Sequence, residues 1–365
     1  MDAVRTRVHE EELRQAFERW LAERKPELKE LQLGTFEMPQ SGFSAKTVFV
    51  PMHYVEDDKP QEAKVVLRME SPEPAIYPQQ TPELNVEIDI QYRAMEALHR
   101  TGTVPLAPLI GYEADPEILG TPFFAMEFIG GNVMIENPPY TQEGFFAEAS
   151  PARRREILTQ GLSMVARFHT IDWKEAGFDW LLEPGAQGTL LRQLRLWEDY
   201  ANRELQGRIH PSLARAFHWL ENNAPDDLPA GLSWGDSRPG NIIFGDAGPL
   251  CITDFENIAI APVGIDLGWW LMFDQSQHEA VGIERLEGEP TREEQREIYA
   301  AAAGIPTPDT QWFEIFAGAR YAGIVVRVMN RLVERGDLPA DHNIWIENPA
   351  TDTLNQLLDT YKINE

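Results

Sequence analysis

At 365 residues the chain is longer than one hydrophobic core ordinarily serves, and it has room for two lobes meeting at a cleft that suits a ligand. With 43% hydrophobic and 25% charged residues and no repeat or low-complexity tract, it has ordinary globular usage, which excludes disorder as its main state. A net charge of −27 argues against nucleic acid and anionic membrane as partners, and the single Cys251 excludes an intramolecular disulfide or a Cys-based zinc cluster.

The first residues include Asp2, Arg5 and Arg7 and then acidic groups, with no apolar stretch of the kind a secretion signal needs. Apolar Leu13, Phe17, Trp20 and Leu21 recur at helical spacing, predicting an amphipathic helix over residues 10–25 that stops near Pro26. Strand-like runs follow at 33–38, 47–52 and 63–69, the first two flanking the small-residue loop 41–46. Residues 71–82 hold four prolines and form a loop. Ile88, Tyr92, Met95 and Leu98 then mark a helix over 85–100, and 105–112 and 123–129 add strands. Gly130-Gly131 breaks the pattern and the chain becomes mainly helical, notably at 152–169, 189–205 and 312–334. The expected lobes are therefore 1–129, a small sheet with an opening helix, and 130–365, a helical lobe.

In the second lobe, 241–244 and 250–253 read as a hairpin around Gly245-Asp246-Ala247-Gly248. The basic run Arg153-Arg154-Arg155 lies beside Glu156 at a helix start and reads as a solvated face. The most apolar span, 258–273, is interrupted by Pro262, Gly264, Asp266 and Gly268 and is short for a membrane helix, so a cytoplasmic protein is expected.

The chemistry concentrates in Trp234-Gly235-Asp236-Ser237-Arg238-Pro239-Gly240-Asn241 and, beyond the hairpin, Asp254-Phe255-Glu256. Phosphoryl transfer to an alcohol needs a carboxylate at the attacking hydroxyl and hard oxygen ligands that hold magnesium against the phosphates of ATP. A hairpin that starts at Asn241 and returns at Asp254 brings two such ligands together and leaves Asp236 as the base. A hydrolase elbow does not fit, because the glycine after Ser237 comes one position too late, and Walker A, G-x-G-x-x-G and H-E-x-x-H patterns are absent.

These residues resemble the aminoglycoside phosphotransferase and choline kinase family, whose catalytic loop reads H-G-D-x-x-x-x-N and is followed by D-[FWY]-E. Leu67-Arg68, the run Gly120-Thr121-Pro122-Phe123-Phe124, Phe168-His169-Thr170-Ile171-Asp172 and Asp266-Leu267-Gly268 match further family segments in order, from about residue 41 to 273. The spacing is most similar to the kinase-like proteins related to a domain fused to some acyl-CoA dehydrogenases. The resemblance implies a bilobal protein-kinase-like α+β fold and an ATP- and magnesium-dependent kinase for a small-molecule hydroxyl, with a hydroxyacyl-CoA-like acceptor. It casts Asp236 as catalytic base, Asn241 and Asp254 as metal ligands, and Asp266 and Trp234 as structural braces. Nucleotide contacts fall to Arg68 on the phosphates, Gln91 or Glu87 orienting it, Ser44 in the small-residue loop, and Glu127 and Ile129 at the hinge.

Two positions depart from the pattern: Trp234 stands where the family has histidine, and Gln91 where it has glutamate. They leave open a kinase-fold nucleotide-binding or regulatory protein with little turnover. A plain hairpin turn competes for the loop 41–46, though its position before the third strand favours phosphate contact through backbone N–H groups, and His169, Trp269 and Trp270 read as structural core. Trp197, Glu198 and Tyr200 lie on one helix that either packs or lines the acceptor site. The acidic balance fits a cationic acceptor such as an aminoglycoside, or solubility alone.

Overall fold

In the computed structural model the described residues are 2–37, 45–226 and 228–363, with side chains from residue 11 onward. They divide into two compact units. The first comprises Met1–Ala75, Asn85–Glu96 and Leu106–Gly130. Its sheet runs β1 (Lys29–Leu33), β2 (Lys46–Glu56), β3 (Lys59–Met69), β5 (Phe123–Glu127) and β4 (Leu109–Glu113), with every neighbouring pair antiparallel. Alternation in β2 buries Val48, Val50 and Met52 on one face. Phe17, Trp20 and Leu21 of α1 (Asp2–Arg24) belong to the same apolar cluster, together with Leu33, Val65, Leu67 and Phe123.

β2 and β3 reach further than the apolar pattern suggests, whereas β4 and β5 are shorter than the runs at 105–112 and 123–129. Among the described residues β1 ends at Leu33 where a strand over 33–38 is expected, with Gly34 N donating to Pro51 O at 2.7 Å and Glu37 bridging to Phe49 beyond it. β2 and β3 stay in register from Lys46↔Met69 to Glu56↔Lys59, closing through Asp57 and Asp58 at φ 49° and 60°. That conformation matches a two-residue hairpin turn with positive φ at both positions. The distal arm is polar and exposed, so main-chain pairing carries it where side-chain alternation gives no signal. Between the strands, α2 (Glu87–Thr101) is capped by Glu70, whose carboxylate accepts from the backbone N–H of Glu87 and Ile88 at 3.3 and 3.0 Å.

The second unit comprises Ile76–Leu84, Ala97–Pro105 and Gly131–Glu365. It contains β6 (Asn132–Val133), α3 (Phe145–Glu148), α4 (Pro151–Phe168), α5 (Leu190–Leu205) and α6 (Pro211–Asn222). There follow β7 (Gly231–Ser233), β8 (Ile242–Gly245), β9 (Gly248–Ile252), β10 (Ala259–Ala261), α7 (Gly264–Gln277), α8 (Arg292–Ala303), α9 (Gln311–Arg335) and α10 (Pro349–Thr360). α9 is the hub, packing on α5, α6, α7 and α10 through residues such as Phe316, Ala319, Ala322 and Val326. α7 approaches so closely that a Cβ on Gly268 would sit 2.5 Å from the Phe313 backbone, which explains a glycine inside a buried helix. The apolar span at 258–273 thus becomes β10 and the buried start of α7, and among the described residues no helix is long and apolar enough to cross a membrane.

The proline-rich loop is pinned where it enters this unit. Tyr200 Oη donates to Ile76 O at 2.5 Å, Gln193 Nε2 donates to Gln80 Oε1 at 2.8 Å, and Arg192 donates to Gln80 O. Two small sheets, β7 with β10 and β6-β8-β9, flank the polar run between Ser233 and Ile242.

Candidate active site

β7 delivers the chain to Gly235, whose φ of 87° lies in the left-handed region. A Cβ there would fall 1.9 Å from Asn257 O, a clash no rotamer relieves. The Gly235 carbonyl accepts from Asn257 Nδ2 at 3.0 Å and Arg320 Nη2 at 2.8 Å, so this turn is held from two directions. Gly235→Ala should therefore displace the loop and lower the midpoint of urea unfolding by the equivalent of about 3 kcal/mol or more, because backbone strain and a backbone clash add. An unfolding curve superimposable on that of the parent chain would refute this.

Beyond the turn, Asp236 is nearly fully buried and its carboxylate is fixed by three donors. Oδ1 accepts from Trp269 Nε1 at 2.7 Å and Arg238 Nε at 3.0 Å, and Oδ2 accepts from Asn241 Nδ2 at 2.8 Å. Asn241 Nδ2 also donates to Asp236 O at 2.9 Å, closing the loop on itself. Arg238 pairs in turn with Glu136 and lies over the Phe273 ring at 5.1 Å. Burial works against the Arg238 charge, but the carboxylates of Asp236 and Glu136 outweigh it and push its pKa up.

A 3-10 turn over Pro239–Asn241 leads into β8, and β9 returns with Ile252 opposite Ile242. Thr253 N donates to Asn241 O at 3.0 Å, so Asp254, two positions beyond the end of β9, follows directly on the residue bonded to Asn241. Asp254 has φ 59°, a left-handed conformation that aspartate tolerates better than most residues. The Trp234 indole N–H is shared between Thr253 O at 2.9 Å and Asp254 O at 3.1 Å. An aromatic in the position of the family histidine thus ties the loop of Asp236 to that of Asp254 by its own hydrogen bonds.

Asp266, at the start of α7, is fully buried. Its carboxylate accepts from Trp234 N at 2.7 Å, Gly235 N at 2.9 Å and Ser233 Oγ at 2.8 Å. His169 Nε2 lies 2.9 Å from the same group, with Nδ1 2.7 Å from Tyr299 Oη, and Ser237 Oγ donates to Asp266 O at 2.8 Å. Burial opposes ionisation, yet the His169 contact and the other donors hold the Asp266 pKa below its ordinary value.

Magnesium takes hard oxygen ligands. The residues fit, because both bonds of the Asn241 amide nitrogen stay inside the loop, which leaves Oδ1 free to serve as a ligand, and Asp254 would add a carboxylate from the residue after Thr253, whose N–H meets Asn241 O.

The second unit thus brings together Trp234, Asp236, Asn241, Asp254 and Asp266. Arg68, Glu87, Gln91, Glu127 and Ile129 all belong to the first unit. There Arg68 Nη1 donates to Thr47 Oγ1 at 2.7 Å, Glu127 pairs with Lys25 at 3.4 Å, and Glu87 and Gln91 are buried one turn apart on α2. Ser44 lies outside the described residues. Sequence reasoning passed over Trp269, Arg238, Glu136 and Tyr77. Arg238 sits inside the motif and was legible there, and Trp269 was read as core, although a buried indole N–H needs an acceptor. Tyr77 packs on Trp197 at 6.5 Å; burial, then the charges of Asp236, Glu256 and Asp254, push its pKa up. Nothing local marked Glu136.

Mouse acyl-CoA dehydrogenase family member 10 is 26% identical over 67% of this chain, which spans only 23% of that relative's length. A solved structure of a putative aminoglycoside phosphotransferase from Ralstonia eutropha superposes with TM-score 0.68 at 22% identity, covering 96% of this chain and 99% of that one. An APH(4)-Ia aminoglycoside phosphotransferase, solved as a thermostable mutant with ADP and hygromycin B, gives 0.54 at 10% identity, covering 94% and 98%. The fold is therefore that of kinase-like phosphotransferases, a two-lobed α+β class with an antiparallel sheet and a mainly helical unit. Residues 40–314 match the model of the phosphotransferase enzyme family, and with that match over most of its length the chain belongs to this family.

Proposed function

We propose that the protein is a cytoplasmic, ATP-dependent kinase that transfers the γ-phosphate to a hydroxyl of a small molecule. The observation that carries this reading is the loop in which Asn241 holds Asp236 while the hairpin returns Asp254 beside Asn241. Asp236 accepts the proton of the attacking hydroxyl, and the fixed carboxylate removes the need to orient the base during the reaction. Asn241 and Asp254 would hold magnesium, which neutralises phosphate charge when bound. Arg68 would hold the phosphates, with Glu87 or Gln91 orienting it, and Ser44, Glu127 and Ile129 would contact the nucleotide.

The name of the mouse relative favours a hydroxyacyl-CoA-like acceptor, and the hygromycin-bound neighbour an aminoglycoside-like one. The two hydrogen bonds of the Trp234 indole weaken the reading of an inactive, regulatory kinase fold, since this departure from the motif keeps the loop tied. A panel of hydroxyl compounds, including hydroxyacyl-CoA esters and aminoglycosides, in an ADP-release assay tests the proposal. ADP release is expected to depend on one acceptor class and to be lost with EDTA and in Asp254→Ala. MgATP binding without turnover of any acceptor would support the regulatory reading instead.

A further inference from the structure

Trp269 contributes more than core volume. It is almost fully buried on α7, and its N–H makes one of the two bonds that fill Asp236 Oδ1. Its ring faces the Arg320 guanidinium at 4.4 Å, and Trp197 lies 4.6 Å from the same guanidinium. Arg320 Nη2 reaches back to Gly235 O at 2.8 Å, one residue before Asp236.

Arg320 is itself unusual. It is fully buried on α9, none of the described carboxylates lies within ion-pair distance of it, and its Nε has no hydrogen-bond partner among the described residues. A cation in such a place is costly, and aromatic faces recover only part of that cost. Burial pulls its pKa down to about 10, so it stays charged at neutral pH. A core that needed only volume here would be served by an apolar side chain of similar size. The arrangement instead links α9, α7 and the loop of the base through one stack.

We infer that Trp269 is a positioning residue for the base, held in place by Arg320, and that the pair leaves Asp236 Oδ2 as the oxygen that takes the acceptor proton. Among the described residues Oδ1 has two donors, whereas Oδ2 has one, from Asn241. In the transfer the acceptor O–H bond breaks with its proton passing to Oδ2, and the hydroxyl oxygen bonds to the γ-phosphorus. The bond from that phosphorus to the bridging oxygen breaks, and ADP leaves with the electron pair. The inference rests on Asp236 acting as base, and the experiment separates the two.

Turnover of MgATP is measured with water as acceptor and with any acceptor found in the hydroxyl panel. Trp269→Phe keeps an aromatic ring and removes the donor. It is expected to lower kcat roughly 10- to 100-fold, the range for losing a hydrogen bond to a charged group, with the KM for MgATP unchanged. In the Asp236→Asn background the same substitution should have no further effect, because Trp269 acts only through that carboxylate. A purely structural tryptophan would lower the residual rate there as well, and would move the KM. Trp269→Phe with unchanged kcat beside a crippled Asp236→Asn overturns this inference alone. Asp236→Asn with undiminished turnover overturns the base reading and this inference with it. A readout independent of turnover is the indole N–H resonance that vanishes in Trp269→Phe. It should shift upfield in Asp236→Ala, and a resonance that stays in place overturns the contact.

Discussion

Asp236→Ala will lower acceptor-dependent ADP release by about 10²- to 10⁴-fold, the usual contribution of a general base, while MgATP still binds. The expectation follows from what the carboxylate touches. None of its three donors among the described residues belongs to the first unit, where Arg68, Glu87 and Gln91 lie, so removing it leaves untouched the residues proposed to hold the phosphates and to orient Arg68. Truncation to alanine also strands the donors of Trp269, Arg238 and Asn241, so part of any loss could be structural. Asp236→Asn separates the effects, since it keeps the shape and removes the proton acceptor. Both variants should lose kcat with a KM for MgATP within about twofold of the parent chain, the pattern of an interaction used in the transition state. Calorimetric titration with MgATP supplies the second measurement. Turnover above a tenth of the parent rate in Asp236→Asn would be incompatible with Asp236 as the base.

The loop of Asp236 was legible because its chemistry is local. A carboxylate and an amide five positions apart, then a hairpin of fixed length, dictate which side chains meet, and Asp236, Asn241 and the strand before Asp254 do meet. The large helices were legible from periodicity, with 312–334 found as Gln311–Arg335. What was hidden depends on tertiary partners. The polar arm of the β2–β3 hairpin has no apolar alternation, so its length is set by main-chain pairing alone. Trp269 and Arg320 look like ordinary occupants of buried helices, and only the packing of α7 on α9 shows that their polar atoms are aimed at residues 235 and 236. The 71–82 loop likewise discloses nothing of its anchor on α5, because Gln80 and Ile76 lie 113 and 124 positions from their partners Gln193 and Tyr200.

Asp266→Ala will destabilise the protein by about 4 kcal/mol or more and abolish turnover along with stability. The wild-type carboxylate satisfies two backbone N–H groups, the Ser233 hydroxyl and His169 in a place sealed from water. Alanine leaves those donors buried without an acceptor, at about 1–3 kcal/mol each before any relaxation. Asp266→Asn should be little better, since half of its amide presents donors to donors. The same carboxylate gives stability an acid dependence of definite sign. Its pKa in the folded chain lies below the value of 3.8 that it takes in the unfolded chain. The stabilisation is therefore complete above that value and is lost as pH falls from it through the lower folded value. Urea unfolding of the two chains across pH 2.5 to 6, with the protein ladder of other carboxylates common to both, isolates the difference. The gap between parent and Asp266→Ala should be constant above about pH 5 and narrow below about pH 4 as the parent carboxylate gains its proton. A gap that widened on acidification would mean that Asp266 is held neutral in the folded chain. The four donors would then not be neutralising a charge at the root of the loop that carries Asp236, and its rigidity would need another source.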